Sequence, residues 1–368
     1  MTIGIDASRY GHPQSTGVEW YSYHIIRHLI PELRSLNPSA EIVLYNDRVL
    51  AIGEELAVAQ QTFSAKKFWT LWALSKQILK SPPDVLFVPS HTLPLSLPKK
   101  TIITIHDVAF RKLPDCYTIR EKLYLNWSTK FAVKKADILI VPSESTKEDL
   151  IEEFDAKPEK ITVIPHGFDP GSIVQTQGSI HELPTEFGDL KPDKFFLFIG
   201  RLEKKKNLVN LLEAFSRFTN IRPDFKLVLA GKRGYGFREI WQTIEKHHLQ
   251  SKVVMPGYVN EEEKAILLQS CNAFVFPSLY EGFGLPLLEA FAYKKPIITS
   301  KISAIPEVAG QSALLINPGS VDELLQAMDD IVKNIELRET LINSGYERLS
   351  KFSWHEAAKK TAEIILAP

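Results

Sequence analysis

The feature that most constrains the fold is a repeated alternation between short apolar runs and longer amphipathic patterns. Runs such as TIGIDA, AEIVLYN and DVLFVPS are rich in β-branched and aromatic residues, and helical patterns such as GVEWYSYHIIRHLIPEL stand between them. Continuous apolar strands joined by helices are typical of parallel sheets that are covered on both faces. The sequence therefore predicts an α/β protein.

The alternation is interrupted once, at residues 170–193. This stretch is rich in proline, glycine and polar residues and shows no sustained period, which is typical of a linker. A chain of 368 residues also suggests about two domains. We predict Rossmann-like domains at 1–175 and 194–349 with a linker at 176–193, and we expect the last helix, 350–368, to pack back on the first domain. A ligand cleft is expected between the domains, at the carboxyl ends of the strands.

Composition removes several classes of function. The 44 basic and 44 acidic residues give a net charge of zero, which argues against a nucleic-acid partner. Cys116 and Cys271 stand far apart, so no disulfide or zinc framework is expected. The start, MTIGIDASRY, lacks the regions of a signal peptide, and no apolar run approaches the roughly 20 residues that span a bilayer. We expect a protein that is cytoplasmic or lies on the inner face of a membrane.

The stretch VFPSLYEGFGLPLLEA places two acids and two glycines between a strand and a helix. Pro286 favours a helix start, whose N–H groups and dipole can bind an anion such as phosphate. Gly282 and Gly284 let a ligand approach the backbone closely. Glu289 would point at that site and bind a neutral ribose diol. Glu281 would accept hydrogen bonds from hydroxyls further along the ligand. The alternative for Glu289 is an acid that only complements the helix dipole.

A second element, FIGRLEKKKN, presents Arg201 and Lys206 between a strand and a helix. Two cations in such a loop suit a diphosphate leaving group, because arginine forks onto two oxygens and lysine acts as a point charge. The alternative is a solvated basic run.

These elements, together with IPHGFD, TIHD and AIPEVAG, resemble the retaining glycosyltransferases of family 4 in their order and spacing. The resemblance covers nearly the whole length. It implies the GT-B fold, in which two Rossmann-like domains face a central cleft, and a reaction that needs no metal ion. No Asp-x-Asp triplet is present, so a divalent-metal diphosphate site is unsupported.

The resemblance also implies roles for individual residues. Arg201 and Lys206 would hold the diphosphate of the donor, Glu289 would bind its ribose, and the backbone at Val259 would read the nucleobase edge. Glu281 would hold the donor sugar together with backbone N–H groups of Gly282, Phe283, Gly284 and Leu285.

The first domain offers a second set of candidates. Gly17 precedes an amphipathic helix and is a further place where backbone can meet phosphate, while Glu19 is either near the acceptor or a first-turn acid. His106 follows an apolar strand, and the resemblance implies that it donates a hydrogen bond to the transferred sugar; a structural histidine is the alternative. Asp107 would orient His106 or cap a turn. The predicted catalytic residues are thus His106, Arg201, Lys206 and Glu281.

One segment raises a membrane question. In residues 66–80, KKFWTLWALSKQILK, we expect a helix with Phe68, Leu71, Trp72, Ile78 and Leu79 on one face. Such a face fits either the core or a lipid interface, so peripheral membrane contact is one of two interpretations.

The leading hypothesis is transfer of a glucose- or mannose-class hexose from UDP- or GDP-sugar to a saccharide or lipid-linked saccharide in glycan biosynthesis. The anomeric configuration would be retained, with no cofactor and no metal. Four alternatives remain: a glycoside hydrolase that uses Glu281 and Glu289, a dehydrogenase that uses GFGLPL, a nucleotide-sugar epimerase, and a nucleotide-sugar binding protein.

Overall fold

The computed structural model describes residues 1–11, 17–52, 56, 58–64, 68–169, 171, 173–174, 183–184 and 187–368. The chain divides into two compact units. Unit 1 comprises Met1–Arg111, Ile119–Gly167 and Phe352–Pro368, and unit 2 comprises Lys112–Thr118 and Phe168–Lys351. Each unit contains a parallel sheet and helices, so the predicted α/β fold class is confirmed.

The unit boundaries differ from those predicted. Unit 1 ends this part of its chain at Gly167 rather than at 175, and the short segment Lys112–Thr118 groups with unit 2. Half of the predicted linker, residues 176–182 and 185–186, lies outside the described residues. The apolar pattern that marks strands says nothing about where a loop packs, so it could not assign Lys112–Thr118.

Unit 1 is built on seven parallel strands among its described residues, in the order β3-β2-β1-β4-β5-β6-β7. The strands are β1 Thr2–Asp6, β2 Glu41–Asn46, β3 Ala59–Thr62, β4 Val85–Val88, β5 Lys100–Thr104, β6 Ile138–Val141 and β7 Ile161–Val163. The helices are α1 Gly17–Leu36, α2 Ser75–Lys80, α3 Ala109–Lys112, α4 Ile119–Lys135, α5 Glu144–Phe154 and, from the end of the chain, α13 Trp354–Leu366.

Unit 2 has six strands among its described residues, in the order β10-β9-β8-β11-β12-β13. The strands are β8 Phe195–Ile199, β9 Lys226–Ala230, β10 Val253–Gly257, β11 Ala273–Phe276, β12 Ile297–Ser300 and β13 Leu314–Ile316. The helices are α6 Leu208–Ile221, α7 Phe237–Lys246, α8 Glu261–Ser270, α9 Leu285–Ala292, α10 Ile305–Ala309, α11 Val321–Lys333 and α12 Ile335–Arg348.

Strand order decides which loops become neighbours. In unit 1, β1 pairs with β2 on one side and β4 on the other, and in unit 2, β8 lies between β9 and β11. Loops that leave two neighbouring parallel strands towards opposite sides open a crevice at the carboxyl ends, where α/β proteins bind ligands. In unit 2 this brings the loop after β8 beside the loop after β11.

The last helix belongs to unit 1, where it packs on α1. The ring of Trp354, at the start of α13, stacks on His24 of α1 with ring centroids 5.1 Å apart and 7° between the planes. Trp354 also stacks on His166, with centroids 5.9 Å apart. These contacts hold the start of α13 against α1 and the loop after β7, whereas the last turn of α13 lies by the first residue of β5, since Lys100 Nζ donates to the Ile364 carbonyl at 2.9 Å.

The predicted face of residues 66–80 is split in the structure. Leu71 and Ile78 are buried, whereas Phe68, Trp72 and Leu79 are exposed. The segment is not one regular helix: Phe68 has a φ of +55°, and Thr70–Leu74 forms a π-helical turn before α2 begins at Ser75. Lys66 and Lys67 lie outside the described residues. No helix in the described part of the chain is long and apolar enough to cross a membrane.

Candidate functional site

The loop between β8 and α6 carries the two predicted cations. It is tied to the loop after β9, because the Leu202 N–H donates to the Lys232 carbonyl at 2.8 Å and the Gly234 N–H donates to the Leu202 carbonyl at 2.9 Å. A Cβ at position 234 would lie 2.8 Å from Cγ and Cδ of Arg201. Gly234 therefore makes room for the stem of Arg201, whose side chain is 55% exposed, with Nη1 3.9 Å from Glu203 Oε2.

Lys206 ends a short 3-10 turn, Lys204–Lys206, and points inward. Its Nζ forms an ion pair with Glu281, and both side chains are only 12% exposed. The same Nζ lies 4.9 Å from the centroid of the Phe276 ring, at the end of β11. A cation held by a carboxylate and an aromatic face has a defined position. The structure thus brings together Lys206 and Glu281, which are 75 residues apart in the sequence.

The loop after β11 ends in the start of α9, where Pro286 predicted it. Gly284 is the N-cap, with a φ of +111° that residues with a side chain rarely adopt, and helical residues begin at Leu285. Phe283 is buried, and the Glu281 N–H donates to Ser303 Oγ at 2.9 Å. The helix start therefore presents its first N–H groups beside the Lys206–Glu281 ion pair, an arrangement suited to an anion that carries polar substituents.

Glu289 lies in the second turn of α9, and that helix has no acid in its first turn. The alternative that Glu289 is a first-turn dipole acid is therefore wrong. Its Oε1 is 2.7 Å from Nζ of Lys264, which also lies 2.8 Å from Glu261 Oε2. Burial opposes the charge of Lys264, but the carboxylates of Glu289 and Glu261 outweigh burial and raise the pKa of that lysine.

Lys264 was missed by the sequence analysis. The sequence feature that could have indicated Lys264 is its position directly after three consecutive acids at the start of α8. Val259, the predicted base-reading residue, is buried just before α8, and Asn260 caps the helix in a capping box with Glu263. The start of α8 therefore places Val259 and Lys264 within two turns of each other.

In unit 1, His106 sits just beyond β5 in a buried aromatic cluster. Its ring centroid is 4.7 Å from that of Tyr21, 5.1 Å from His91 and 5.4 Å from His166. Burial, with His91 as the next cause, lowers the pKa of His106 to about 3. Burial also lowers the pKa of His166. Both rings are neutral at pH 7, and nothing in the sequence indicated that α1 and two other histidines, His91 and His166, surround His106.

The hydrogen bond of His106 bears on its predicted role. Nε2 lies 3.1 Å from the carbonyl oxygen of Pro89, which can only accept, so Nε2 carries the ring proton. The neutral ring then has no second donor. In this conformation His106 can offer a sugar hydroxyl only its Nδ1 acceptor, which differs from the predicted role as a donor.

The remaining candidate residues of unit 1 are Gly17, Glu19 and Asp107. Gly17 is exposed and opens α1, and no atom lies within 4 Å of a Cβ built there; the preceding Thr16 is outside the described residues. Glu19 lies in the first turn of α1, with Oε1 3.1 Å from Arg9 Nη1. Asp107 Oδ1 accepts from the Ala109 N–H at 3.1 Å, as expected of a residue that caps a turn. Among the residues placed by the structure, no group of three or more metal-ligating side chains is positioned to hold an ion.

Comparison with known proteins gives a consistent result. Residues 16–172 match the model of glycosyltransferase family 4, and residues 180–348 match that of glycosyl transferases group 1. O-antigen chain mannosyltransferase B of Escherichia coli is 26% identical over 274 residues, which cover 74% of this chain and 71% of that protein.

The serotype-specific mannosyltransferase WbdA of E. coli is 27% identical over 296 residues, which are 75% of this chain but 36% of that protein. The crystal structure of Anabaena HepE in complex with UDP and glucose is similar over 99% of both chains, with 18% identity and a TM-score of 0.75. The two family matches leave little of the sequence uncovered, and the structural likeness extends over both parallel-sheet units. The chain belongs to the glycosyltransferases of family 4 and has the GT-B fold.

Proposed function

We propose that this glycosyltransferase moves a hexose of the glucose or mannose class from a nucleotide-diphosphate sugar to a saccharide or lipid-linked saccharide, with retention of the anomeric configuration. The observation that carries the proposal is the Lys206–Glu281 ion pair beside the start of α9. This pair joins a cation suited to a diphosphate with an acid suited to sugar hydroxyls, at the edge where α/β proteins bind nucleotides.

The positive charges of Arg201 and Lys206 suit the departure of a diphosphate. Arg201 is exposed and free to fork onto two phosphate oxygens, whereas Lys206 is held in place by Glu281 and Phe276. Both cations stabilise the negative charge that develops as the bond between the sugar carbon and the diphosphate oxygen breaks. A phosphate oxygen of the leaving group takes the proton of the attacking hydroxyl, so no side chain serves as general base.

Two carboxylates near a sugar could also suggest a glycoside hydrolase. That chemistry needs one carboxyl group that carries a proton while the other is ionised. Here each carboxylate is already engaged by an ammonium group, Glu281 by Lys206 and Glu289 by Lys264, and neither is placed as a lone proton donor. The site therefore supports binding of hydroxyls rather than acid catalysis, in agreement with the family.

The residues around the start of α9 suggest how each part of the nucleotide-sugar donor is bound. Glu289 binds the ribose diol, Val259 contacts the base through its backbone, and the backbone from Gly282 to Leu285 faces the sugar. The solved HepE complex contains UDP and glucose, and the relatives in E. coli are mannosyltransferases, which supports UDP-glucose and GDP-mannose as donors to test first. In unit 1, His106 accepts from a sugar hydroxyl, and the backbone at Gly17 approaches phosphate.

A lipid-linked acceptor would bring the protein to a membrane, and we propose peripheral contact with its inner face. The exposed Phe68, Trp72 and Leu79 support this contact, because aromatic and aliphatic side chains next to lysines favour a lipid interface.

The proposed donor site is tested by thermal shift with UDP, GDP, ADP and their hexose conjugates in excess EDTA. Binding to the native state raises the apparent stability, so one nucleotide should stand out without metal. NMR of the product with the matching donor should then show the anomeric configuration of the donor. Stabilisation that requires a divalent cation would contradict metal independence, and isomerised donor without acceptor would indicate an epimerase.

A further inference from the structure

The buried side of α1 reaches the ends of two strands beside His106. Tyr21 Oη lies 3.1 Å from Thr104 Oγ1, in the last residue of β5. Ser22 Oγ donates to the carbonyl oxygen of Pro89, just after β4, at 3.4 Å. Tyr21, Ser22 and Thr104 are at most 2% exposed, so these contacts are shielded from water. Two consecutive residues of α1 are therefore joined to the strand that leads to His106 and to the loop that His106 contacts.

One hydrogen bond does not fix the direction of the His106 ring. Nε2 is held by the Pro89 carbonyl at 3.1 Å, but the torsion about the Cβ–Cγ bond of histidine is intrinsically broad. Rotation about that bond moves Nδ1 further than Nε2, because Nδ1 lies further from the axis of the bond. The neighbouring rings must therefore determine where Nδ1 points.

The ring of Tyr21 is well placed to do so. Its centroid is 4.7 Å from that of His106, with 80° between the planes, which is the T-shaped packing that aromatic rings favour. Tyr21 also packs on His166, with centroids 4.6 Å apart, so it bridges the two histidines. His91, whose centroid is 5.1 Å from that of His106, is only half-buried. Tyr21 is therefore the more firmly held of these two neighbours, and burial keeps it neutral by raising its pKa.

We propose that Tyr21 is a positioning residue, whose ring sets the orientation in which His106 presents Nδ1 to the transferred sugar. An unprotonated Nδ1 can only accept, so the sugar must carry a hydroxyl at the point that faces it. The inference rests on the contact between His106 and the sugar proposed above, and it adds the residue that controls this contact. Its consequence is a specificity: a donor with fluorine in place of that hydroxyl should react poorly, since fluorine cannot donate a hydrogen bond.

The experiment compares the natural donor with analogues whose sugar is fluorinated at C3, C4 or C6. In the wild type, kcat/KM should fall at least about tenfold for the analogue that lacks the hydroxyl facing His106. His106→Ala should remove this discrimination, because the acceptor is gone. Tyr21→Leu should reduce it to about threefold or less, mainly by lowering kcat/KM for the natural donor. Adding Tyr21→Leu to His106→Ala should not change the discrimination further, as expected of a residue that acts through another.

Further variants separate positioning from stability. Tyr21→Phe keeps the ring but removes the hydroxyl that contacts Thr104, so the melting temperature should fall while the discrimination stays. Tyr23→Leu is the matched control, because Tyr23 lies on the same helix and packs on Tyr10 and Trp20; it should discriminate as the wild type does. Tyr21→Met takes the place of Tyr21→Leu if the leucine variant does not fold, since methionine fills irregular space without a ring.

The orientation of the His106 ring can also be measured without any sugar. In protein labelled with 15N-histidine, the Nε2 proton of His106 should give a slowly exchanging signal in the wild type and in Tyr21→Phe. In Tyr21→Leu it should exchange with water at least about tenfold faster. The inference is overturned if Tyr21→Leu keeps the full discrimination or the slow signal, if Tyr21→Phe loses the discrimination, or if the wild type discriminates against no analogue. Nucleotide-induced stabilisation should persist in every variant, so each of these failures leaves the proposed donor site intact.

Discussion

Lys264 Nζ lies 2.7 Å from Glu289 Oε1 and 2.8 Å from Glu261 Oε2, so one buried ammonium group joins the start of α8 to the second turn of α9. The link orients the carboxylate proposed to bind ribose. It also connects that carboxylate to the helix that begins beside Val259, the residue proposed at the base edge.

Replacement of Lys264 should therefore impair nucleotide binding. Lys264→Met leaves Glu289 without its cation, and we expect the dissociation constant for the preferred nucleoside diphosphate to rise about tenfold, equivalent to about 1.4 kcal/mol. Calorimetry should show that the loss is much smaller for the 3′-deoxy nucleotide, which lacks one hydroxyl of the diol. Lys264→Arg should restore part of the affinity, and Lys246→Met, at an exposed lysine of α7, should have no effect.

Arg201→Ala should reduce transfer by at least about a hundredfold, the scale expected when charge stabilisation of the leaving group is lost. Because the Arg201 side chain is 55% exposed, its removal should leave the melting temperature nearly unchanged. The measurement is the initial rate at saturating donor and acceptor, with Arg217→Ala, another exposed arginine of unit 2, as control. Near-normal turnover would remove Arg201 from the mechanism.

Gly17→Ala should distinguish an effect on ligand contact from an effect on stability. No atom lies within 4 Å of the added Cβ, so stability should stay the same or rise by up to about 1 kcal/mol. If phosphate approaches the backbone there, transfer should still fall. Full activity in a stable variant would show that no ligand contacts Gly17.

Gly284→Ala should instead lower stability as well as transfer. Its φ of +111° strains any residue with a side chain, and the new Cβ would lie 3.1 Å from Ile305 Cδ1. We expect a loss of about 1–2 kcal/mol in the free energy of unfolding, measured by urea denaturation. An unchanged midpoint would mean that the turn rearranges at little cost.

Acid should destabilise unit 1. The pKa of His106 is about 3 in the folded protein against an ordinary value of 6.5, and that of His166 is also lowered. The unfolded chain binds more protons than the folded one below pH 6.5, so the free energy of unfolding falls as pH falls through this range. Each histidine contributes up to about 1.4 kcal/mol per pH unit.

This pH dependence can be followed by hydrogen exchange of the β5 and β6 amides between pH 7 and 5. The carboxylates of Asp107 and Glu19 favour the charged form of His106 and act more weakly than burial. His166→Phe removes one titrating ring, so its stability should depend less steeply on pH. An identical slope in this variant would mean that His166 does not contribute.

The fold class, and the loops that hold the candidate side chains of unit 2, could be predicted from the sequence. Strand-to-helix loops have strong local signals, such as the glycines and Pro286 before α9, and parallel topology then brings Lys206 to Glu281. The signal for Lys264, a lysine directly after three consecutive acids, is weak, because its position beside Glu289 depends on how the fold places α8 and α9. The same limit explains His106, whose hydrogen bond to Pro89 joins the ends of two strands.

The segment at 68–80 shows a second limit. Its residues were placed on one helical face by assuming a regular period, but the segment contains a π-helical turn at Thr70–Leu74, and only Leu71 and Ile78 of the five apolar side chains are buried. A hydrophobic pattern identifies which side chains are apolar. It does not determine which of them the rest of the fold leaves in water.

The return of α13 to unit 1 has a consequence for biosynthesis. Trp354 covers His24 and His166, so the first sheet gains this layer only after unit 2 has been translated. A ribosome that adds about 5–20 residues per second would need at least several seconds between completing the first sheet and completing α13. During that interval the face of α1 that α13 later covers, including His24, remains exposed to solvent.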